Sequence, residues 1–242
     1  MMRSRAFVAL GNFLFHVRNG LFPLLVPLAF LPGAALFAEP LHAVLAGFLV
    51  SLGGQAIRVA TIGLRYIIRG GRGRRIYAED LVTDGLYAHS RNPMYVGNLL
   101  IMTGVAIASN SLATLALVVP LFLLIYLAIT AAEEDFLRAK FGTPFYAYCA
   151  AVPRFLPRPA GLGATLASMD FKWRRVIVKE YGTPFGWLSC IYVLALWHLW
   201  KPAHSFTGHE ILRDCVLAAM AVTIALWATA LHLKRSRRLV AD

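Results

Sequence analysis

The sequence predicts an all-α, polytopic membrane protein of about six transmembrane helices, with an N-terminal interfacial helix and polar segments gathered on one side. Three observations predict it. Of 242 residues, 59% are hydrophobic and 15% charged, where a soluble domain carries about 25% charge. The mean hydropathy is +0.64, more apolar surface than a core of this size can hide from water. Six apolar stretches approach the roughly 20 residues that a helix needs to cross a bilayer core about 30 Å thick.

The elements follow in order. Ala6 to Arg18 is apolar but interrupted by His16 and Arg18, and no small-x-small cleavage site follows it. It is expected to remain on the protein as an amphipathic, interfacial helix rather than leave as a signal peptide. A first span is expected over Leu21 to Phe37 and a second over Leu41 to Ile68. A third, Met94 to Ala108, and a fourth, Leu112 to Thr130, are joined by the turn Ser109-Asn110-Ser111. Glu133 to Phe141 reads as a short amphipathic helix continuing the fourth span. The fifth span is expected over Phe185 to Leu199 and the sixth over Ile211 to Leu233. Gly-Thr-Pro-Phe occurs at residues 142–145 and again at 182–185. Threonine can cap a helix and proline fits its first turn, so both copies are expected to start helices.

The basic residues set the orientation. Arg3, Arg5 and Arg18 precede the first span, and Arg69, Arg72, Arg74 and Arg75 follow the second. Eight more Arg and Lys lie between the fourth and fifth, and Lys234, Arg235, Arg237 and Arg238 follow the sixth. The opposite loops hold little beyond Lys201 and Arg213. The positive-inside rule then places both termini in the cytoplasm. The chain divides into residues 1–40, a core at 41–160, and a cytoplasmic linker with two C-terminal spans at 161–242. The net charge of +12, spread in short clusters between apolar runs, suits topology and anionic headgroups rather than nucleic acid. Cys149, Cys190 and Cys215 form no CxxC or Cys/His group of metal spacing, so neither a disulfide framework nor a metal is expected.

Three features could carry chemistry. Glu133-Glu134-Asp135 ends the fourth span on a side rich in arginine. The acids either hold a cationic group or form a solvated face paired with loop arginines. Asn92-Pro93 bars a helix before Pro93 and opens the third span after it. The free N–H groups of that first turn, flanked by Tyr87 and Tyr95, could meet a ligand, or the tyrosines could simply sit at the interface. Arg58 lies within the second span beside Gly53, Gly54 and Gln55. An ionisable residue there is a functional candidate, although Arg65 and Arg69 follow about two and three turns on and would also suit a snorkelling stripe.

Leu81-Val82-Thr83-Asp84-Gly85-Leu86-Tyr87 runs on to Arg91-Asn92-Pro93-Met94-Tyr95-Val96-Gly97, then come two spans, then Glu133-Glu134-Asp135-Phe136 on to Pro153-Arg154-Phe155-Leu156-Pro157. This order resembles the isoprenylcysteine carboxyl methyltransferase and phospholipid methyltransferase superfamily of integral membrane enzymes, over about Gly47 to Pro157. The resemblance implies cytoplasmic cofactor-binding segments for S-adenosylmethionine. It implies that Leu81, Val82, Tyr87, Asn92, Pro93, Met94 and Tyr95 line the cofactor and that Glu133 and Glu134 reach it across the hairpin. Asn-Pro-Met-Tyr is similar to the phosphatidylethanolamine N-methyltransferases, where the prenylcysteine enzymes read Arg-His-Pro. The animal carboxyl methyltransferases also place a substrate-holding arginine four residues before the first cofactor glutamate, and that position here is Ile129.

The resemblance thus implies a membrane methyltransferase acting on a lipid or lipidated acceptor that enters from the bilayer, with an amine headgroup ahead of a prenylated carboxylate. An amine must lose a proton, which Glu134 could take as base. A carboxylate would need a cationic clamp, for which Arg91, Arg58 and Arg154 are the candidates. The competing classes are a reductase similar to the C-terminal halves of sterol reductases and a non-catalytic membrane protein.

Overall fold

The structure, a computed structural model, describes residues 4–65, 73, 75–202 and 204–236. Arg3, Arg69, Arg72, Arg74, Arg237 and Arg238, on which part of the orientation argument rests, lie outside the described residues. The described chain is helical, with no β-strand. Its helices are α1 (Arg5–Leu24), α2 (Pro40–Leu64), α3 (Pro93–Ala108), α4 (Leu112–Phe141), α5 (Thr143–Ala151), α6 (Leu162–Ser168), α7 (Trp173–Glu180), α8 (Gly182–Trp200) and α9 (Glu210–Arg235). With the 3-10 turn Val26–Phe30 added to α1, four helices are long and apolar enough to cross a membrane: α1, α2, α4 and α9. The shorter α3 and α8 are apolar and pack between them.

The N-terminal expectation is corrected. No break separates the helix expected at the interface from the expected first span, and residues 31–37 of that span are not helical. One helix, α1, runs from the Ser4 cap, whose Oγ accepts from the Phe7 amide at 3.3 Å, through Arg18 to Leu24. Pro23, Pro27 and Pro32 each remove a backbone donor, so the helix tightens into the 3-10 turn and then stops. The chain beyond is extended rather than helical. Its Leu36 and Phe37 amides donate to Asn110 Oδ1 at 3.0 and 2.9 Å. Asn110 itself adopts φ +51° in the turn between α3 and α4, a conformation asparagine tolerates well. The other spans fall near where the pattern places them, except that α2 ends at Leu64 and residues 66–68 of the expected second span lie outside the described residues, and Glu133 to Phe141 does continue α4.

Packing gives the helices alternating directions. Gly11 of α1 lies against Ala128 and Ala132 of α4, while Thr114 Oγ1 donates to the Leu28 carbonyl at 3.1 Å, so α1 and α4 are antiparallel. Gly47 meets Gly104 and Ala108, and Gly54 meets Gly97, which sets α2 antiparallel to α3. His198 of α8 reaches the Ala108 carbonyl at 3.0 Å, and Tyr192 meets Thr223 of α9 at 3.1 Å. Two ends result: one carries Asn92 and Glu133, the other Asn110 and the Trp197, Trp200 and His204 ring cluster.

Small residues at the α2–α3 seam let the backbones touch, the usual device where lipid offers no hydrophobic drive to pair helices. A methyl group on Gly54 would fall 2.5 Å from the Gly97 carbonyl oxygen, whereas one on Gly53 meets nothing within 4 Å. Gly54→Val is therefore expected to cost about 1–3 kcal/mol through overpacking, and Gly53→Val close to nothing. Thermal unfolding of the two variants in the same detergent checks this; equal midpoints would contradict the seam.

Candidate active site

The site is built from the ends of α3 and α4. Asn92 precedes α3 in a non-helical conformation, and Pro93 occupies the first turn. The approach to Asn92 is fixed from behind by the chain after α5. The Arg91 amide donates to the Pro153 carbonyl and the Arg158 amide to the His89 carbonyl, each at 2.9 Å. Ser90 Oγ donates to the Phe155 carbonyl at 2.9 Å, and Asn92 Nδ2 to the Arg154 carbonyl at 3.0 Å. Tyr148 Oη donates to the Tyr87 carbonyl at 2.7 Å. Burial holds the Tyr148 phenol well above its ordinary value, with Arg91 opposing, so it remains a donor at neutral pH. Burial also raises the Cys149 thiol, again against Arg91. Cys149 Sγ lies 2.9 Å from Arg91 Nη1.

The three consecutive acids take three different places. Asp135 is exposed. Glu133 faces a cavity and accepts from Tyr95 Oη at 2.7 Å; Tyr95 stacks on Tyr126 with ring centroids 4.8 Å apart and receives Arg18 Nη1 at 3.3 Å. Glu134 also borders the cavity, but its carboxylate is taken up among arginines. Its Oε1 accepts from Arg91 Nη1 at 3.0 Å and Arg154 Nε at 2.7 Å. Its Oε2 accepts from Arg154 Nη2 at 2.6 Å and Arg138 Nη2 at 3.3 Å. The expected pairing with arginines is found at Glu134, but buried rather than on a solvated face.

This arrangement corrects the role assigned to Glu134. Four donors on two oxygens occupy the lone pairs that a general base would use. Glu134 is a counter-ion that ties the residue before Asn92 to α4 and to the Arg154 segment. Arg91, expected as a clamp for a substrate carboxylate, instead shares this glutamate with Arg138 and Arg154, while its own Nε has no hydrogen-bond partner among the described residues.

Arg58 is buried at the same end, and its charge is also answered. It forms a two-pronged pair with Glu180, Nε to Oε1 at 2.5 Å and Nη2 to Oε2 at 2.8 Å. Nη2 also donates to Thr183 Oγ1 at 3.0 Å, and Nη1 to Asn98 Oδ1. Gln55 Nε2 donates to Glu180 at 3.1 Å and accepts from Trp187 Nε1 at 3.0 Å through its own oxygen. Arg58 is a structural partner of α7 and α8, not a snorkelling residue and not a free clamp. Thr183, expected to cap α8, serves this network instead; neither Gly-Thr-Pro-Phe copy shows a side-chain cap, although both start helices. Because both partners are nearly fully buried, Arg58→Met should cost about 3–5 kcal/mol by stranding Glu180. Adding Glu180→Leu should recover most of that loss, measured as thermal midpoints; a double variant no better than the single would contradict the pairing.

A cavity of about 980 Å³ joins these pieces. Leu81, Val82, Tyr87, Asn92, Met94, Tyr95, Glu133 and Glu134 line it, as do Arg58 and Arg91. Pro93 is buried next to it and shapes the turn without lining it. Lys140 at the end of α4 donates to the Ala78 and Glu79 carbonyls, and so holds residues 78–82 over one end. From there the cavity runs along α3 and α4 past Tyr126, Met102, Val105 and Phe122 to Val118. One end is therefore polar and aromatic, the other apolar. Ile129 is fully buried against Phe15 and Phe122 rather than in the cavity. The described residues contain no group of three His, Cys, Asp or Glu side chains able to hold a metal ion.

Sequence reasoning missed Glu180, Thr183, Asn98 and Arg18. Glu180 carried a usable signal: a buried arginine in a span requires a counter-charge, and Glu180 stands directly before the second Gly-Thr-Pro-Phe. Arg18 carried none, since an interfacial helix would have kept it away from the cavity.

An apolar bundle with a polar, aromatic cavity at one end of a helical hairpin defines a polytopic membrane protein with an enzyme-like site. The sequence model of the phospholipid methyltransferase family matches residues 42–144, the stretch holding nearly all of α2, the Asn92 turn, α3 and α4. The cobalt-zinc-cadmium resistance protein CzcN of Cupriavidus metallidurans is 33% identical over 152 residues, 62% of this chain and 68% of that protein. The nickel-cobalt-cadmium resistance protein NccN of Alcaligenes xylosoxydans xylosoxydans is 30% identical over 110 residues, 46% of this chain and 50% of that protein. No solved structure matches. The chain belongs to the phospholipid methyltransferase family, within the superfamily of membrane methyltransferases that includes the isoprenylcysteine enzymes.

Proposed function

We propose that this protein transfers a methyl group from S-adenosylmethionine to a polar group on a lipid-tailed acceptor, with an amine headgroup as the leading substrate class. The observation that carries the reading is the single cavity onto which Asn92, Tyr87, Tyr95 and Glu133 open at one end and which becomes apolar at the other. Its volume lies at the top of the range for small-molecule sites, room for a cofactor and part of a second molecule. When bound, the cofactor supplies an electrophilic methyl on a sulfonium. Glu133 and the faces of Tyr87 and Tyr95 present the negative charge and aromatic surface that such a cation and its ammonium group favour. The apolar wall excludes water and aligns the acceptor, which is most of what an in-line displacement requires of a protein. With the cofactor bound, the amine lone pair would form the new C–N bond as the C–S bond breaks, its electron pair leaving with the thioether product. The amine proton leaves to water at the open, cytoplasmic end, since Glu134 has no lone pair to spare.

The one-to-one pairing of Arg58 with Glu180 favours an amine over a carboxylate, because a carboxylate would find that guanidinium already held. Resistance to metal cations, named for both relatives, is taken here as the setting of the reaction, with the membrane lipid rather than the ion as substrate. Membranes holding the protein, incubated with methyl-labelled S-adenosylmethionine and extracted for lipid, test the reading. Base-stable label in headgroups supports N-methylation, and base-labile volatile label supports the ester alternative. No label in lipid or protein overturns both.

A further inference from the structure

We propose that the acceptor's hydrocarbon chain enters through a window between α1 and α8, helices outside the family-matched segment at 42–144. This deepens the methyltransferase reading and rests on it for the acceptor's identity. Apart from Glu79 and Asp80 at the polar end, the window is visible in which cavity-lining residues are also exposed. On α1 and its 3-10 turn these are Asn19, Pro23 and Val26, the last 42% exposed. On α8 they are Gly182 and Gly186.

Packing bounds the opening at one end and polar groups stand at the other. Towards the Asn110 end, Ala29 packs with Ile191 and Leu194, and Phe30 meets Trp197 edge-on with centroids 6.0 Å apart. Towards the Asn92 end stand the charged and polar groups: Arg18 on its Tyr95 hydrogen bond, and Thr183 on Arg58. Between the two frames lies Gly186 of α8, one turn beyond Gly182 at the start of that helix. A methyl group built on either meets nothing within 4 Å, so the space beside them is open and ordinary side chains there would stand in it.

The occupant is one hydrocarbon chain. The opening sits on the sides of helices of a membrane bundle, with Pro23 and Val26 on one jamb and apolar α8 on the other, so what lies outside is lipid. Inside, the lining beyond Met102 and Val105 is apolar as far as Val118. A chain passing between Pro23 and Gly186 would leave its headgroup at the polar end, beside Arg18, Tyr95 and Glu133. The family-matched hairpin thus supplies the cofactor side, and α1 and α8 select the acceptor.

Photolabelling in nanodiscs tests this with a phosphatidylethanolamine that carries a diazirine midway along one acyl chain. Trp187 is 4% exposed and Met102 also lines the cavity, so label at either requires a chain inside. The wild type should label both. Gly186→Leu should lower that label at least about tenfold, while label on the exposed Val222 and Leu226 of α9 stays unchanged. Gly53→Leu, which also meets open space but lies off the cavity, should leave all label as in the wild type. Gly182→Leu replaces Gly186→Leu if the latter does not fold. An unlabelled interior in the wild type, or equal interior label in both glycine variants of α8, overturns the window. Interior label in a wild type that transfers no methyl group keeps the window and removes the methyltransferase reading.

Discussion

Glu134→Ala is expected to destabilise the protein by about 3 kcal/mol or more, the lower part of the range for breaking a buried charge pair. The glutamate side chain is 4% exposed and Arg91 13%, whereas Arg138 and Arg154 are each 29% exposed. The latter two can recover some water when their partner is removed, and Arg91 recovers little. The loss is also local in its consequences. Glu134 is the point where α4, the residue before Asn92 and the Arg154 segment meet, and Arg154 in turn offers its carbonyl to Asn92 Nδ2. Without it the Asn92 turn loses its backing. The variant should therefore show a lower thermal midpoint and faster proteolysis within residues 152–165, with Glu134→Gln between it and the wild type. A midpoint equal to that of the wild type would show that the three arginines do not depend on this carboxylate.

Glu133→Gln, one residue away, is expected to behave in the opposite manner. The side chain touches Tyr95 and the cavity, and a glutamine oxygen can still accept from Tyr95 Oη, so stability should change little. What is lost is a negative charge facing a cationic ligand in a cavity partly shielded from water. Removing one partner of such a pair costs about 2–4 kcal/mol, or roughly 30- to 1,000-fold in binding. Affinity for S-adenosylmethionine and methyl transfer should fall together while the thermal midpoint of the unliganded protein holds. A variant that binds and transfers as the wild type does would remove Glu133 from the site. The two neighbouring glutamates, indistinguishable as letters, are thereby separated by experiment: one supports the fold, the other the ligand.

The difference between them marks where sequence reasoning ends. Hydropathy shows a span ending near Thr130, and helical continuation to Phe141 follows from the pattern of Phe136, Leu137 and Phe141. Which acid faces the cavity depends on the rotation of α4, and that is set by α1 packing through Gly11 and Phe15, a contact no local pattern records. The same holds for Arg58. Its burial is legible as an arginine in a span, but its partner lies 122 residues away at the end of α7. The hairpin itself was legible because its signals are local: Asn-Pro before α3, Ser-Asn-Ser between α3 and α4, acids at the far end. The N-terminal region was misjudged for a physical reason. His16 and Arg18 suggest an interface by composition, whereas in the folded chain Arg18 is drawn inward by Tyr95 and the ring of Phe15, 4.1 Å below its guanidinium. Polar residues that serve a cavity imitate polar residues that seek water.

The central claim is that the ends of α3 and α4 form the S-adenosylmethionine site. Equilibrium binding of labelled S-adenosylmethionine to the purified protein in nanodiscs tests it most directly, with Asn92→Ala beside the wild type. The account predicts saturable binding to one site per chain, displaced by S-adenosylhomocysteine and lost in Asn92→Ala at an unchanged α-helical content. No saturable binding to a folded wild type, or binding undiminished in Asn92→Ala, would contradict it.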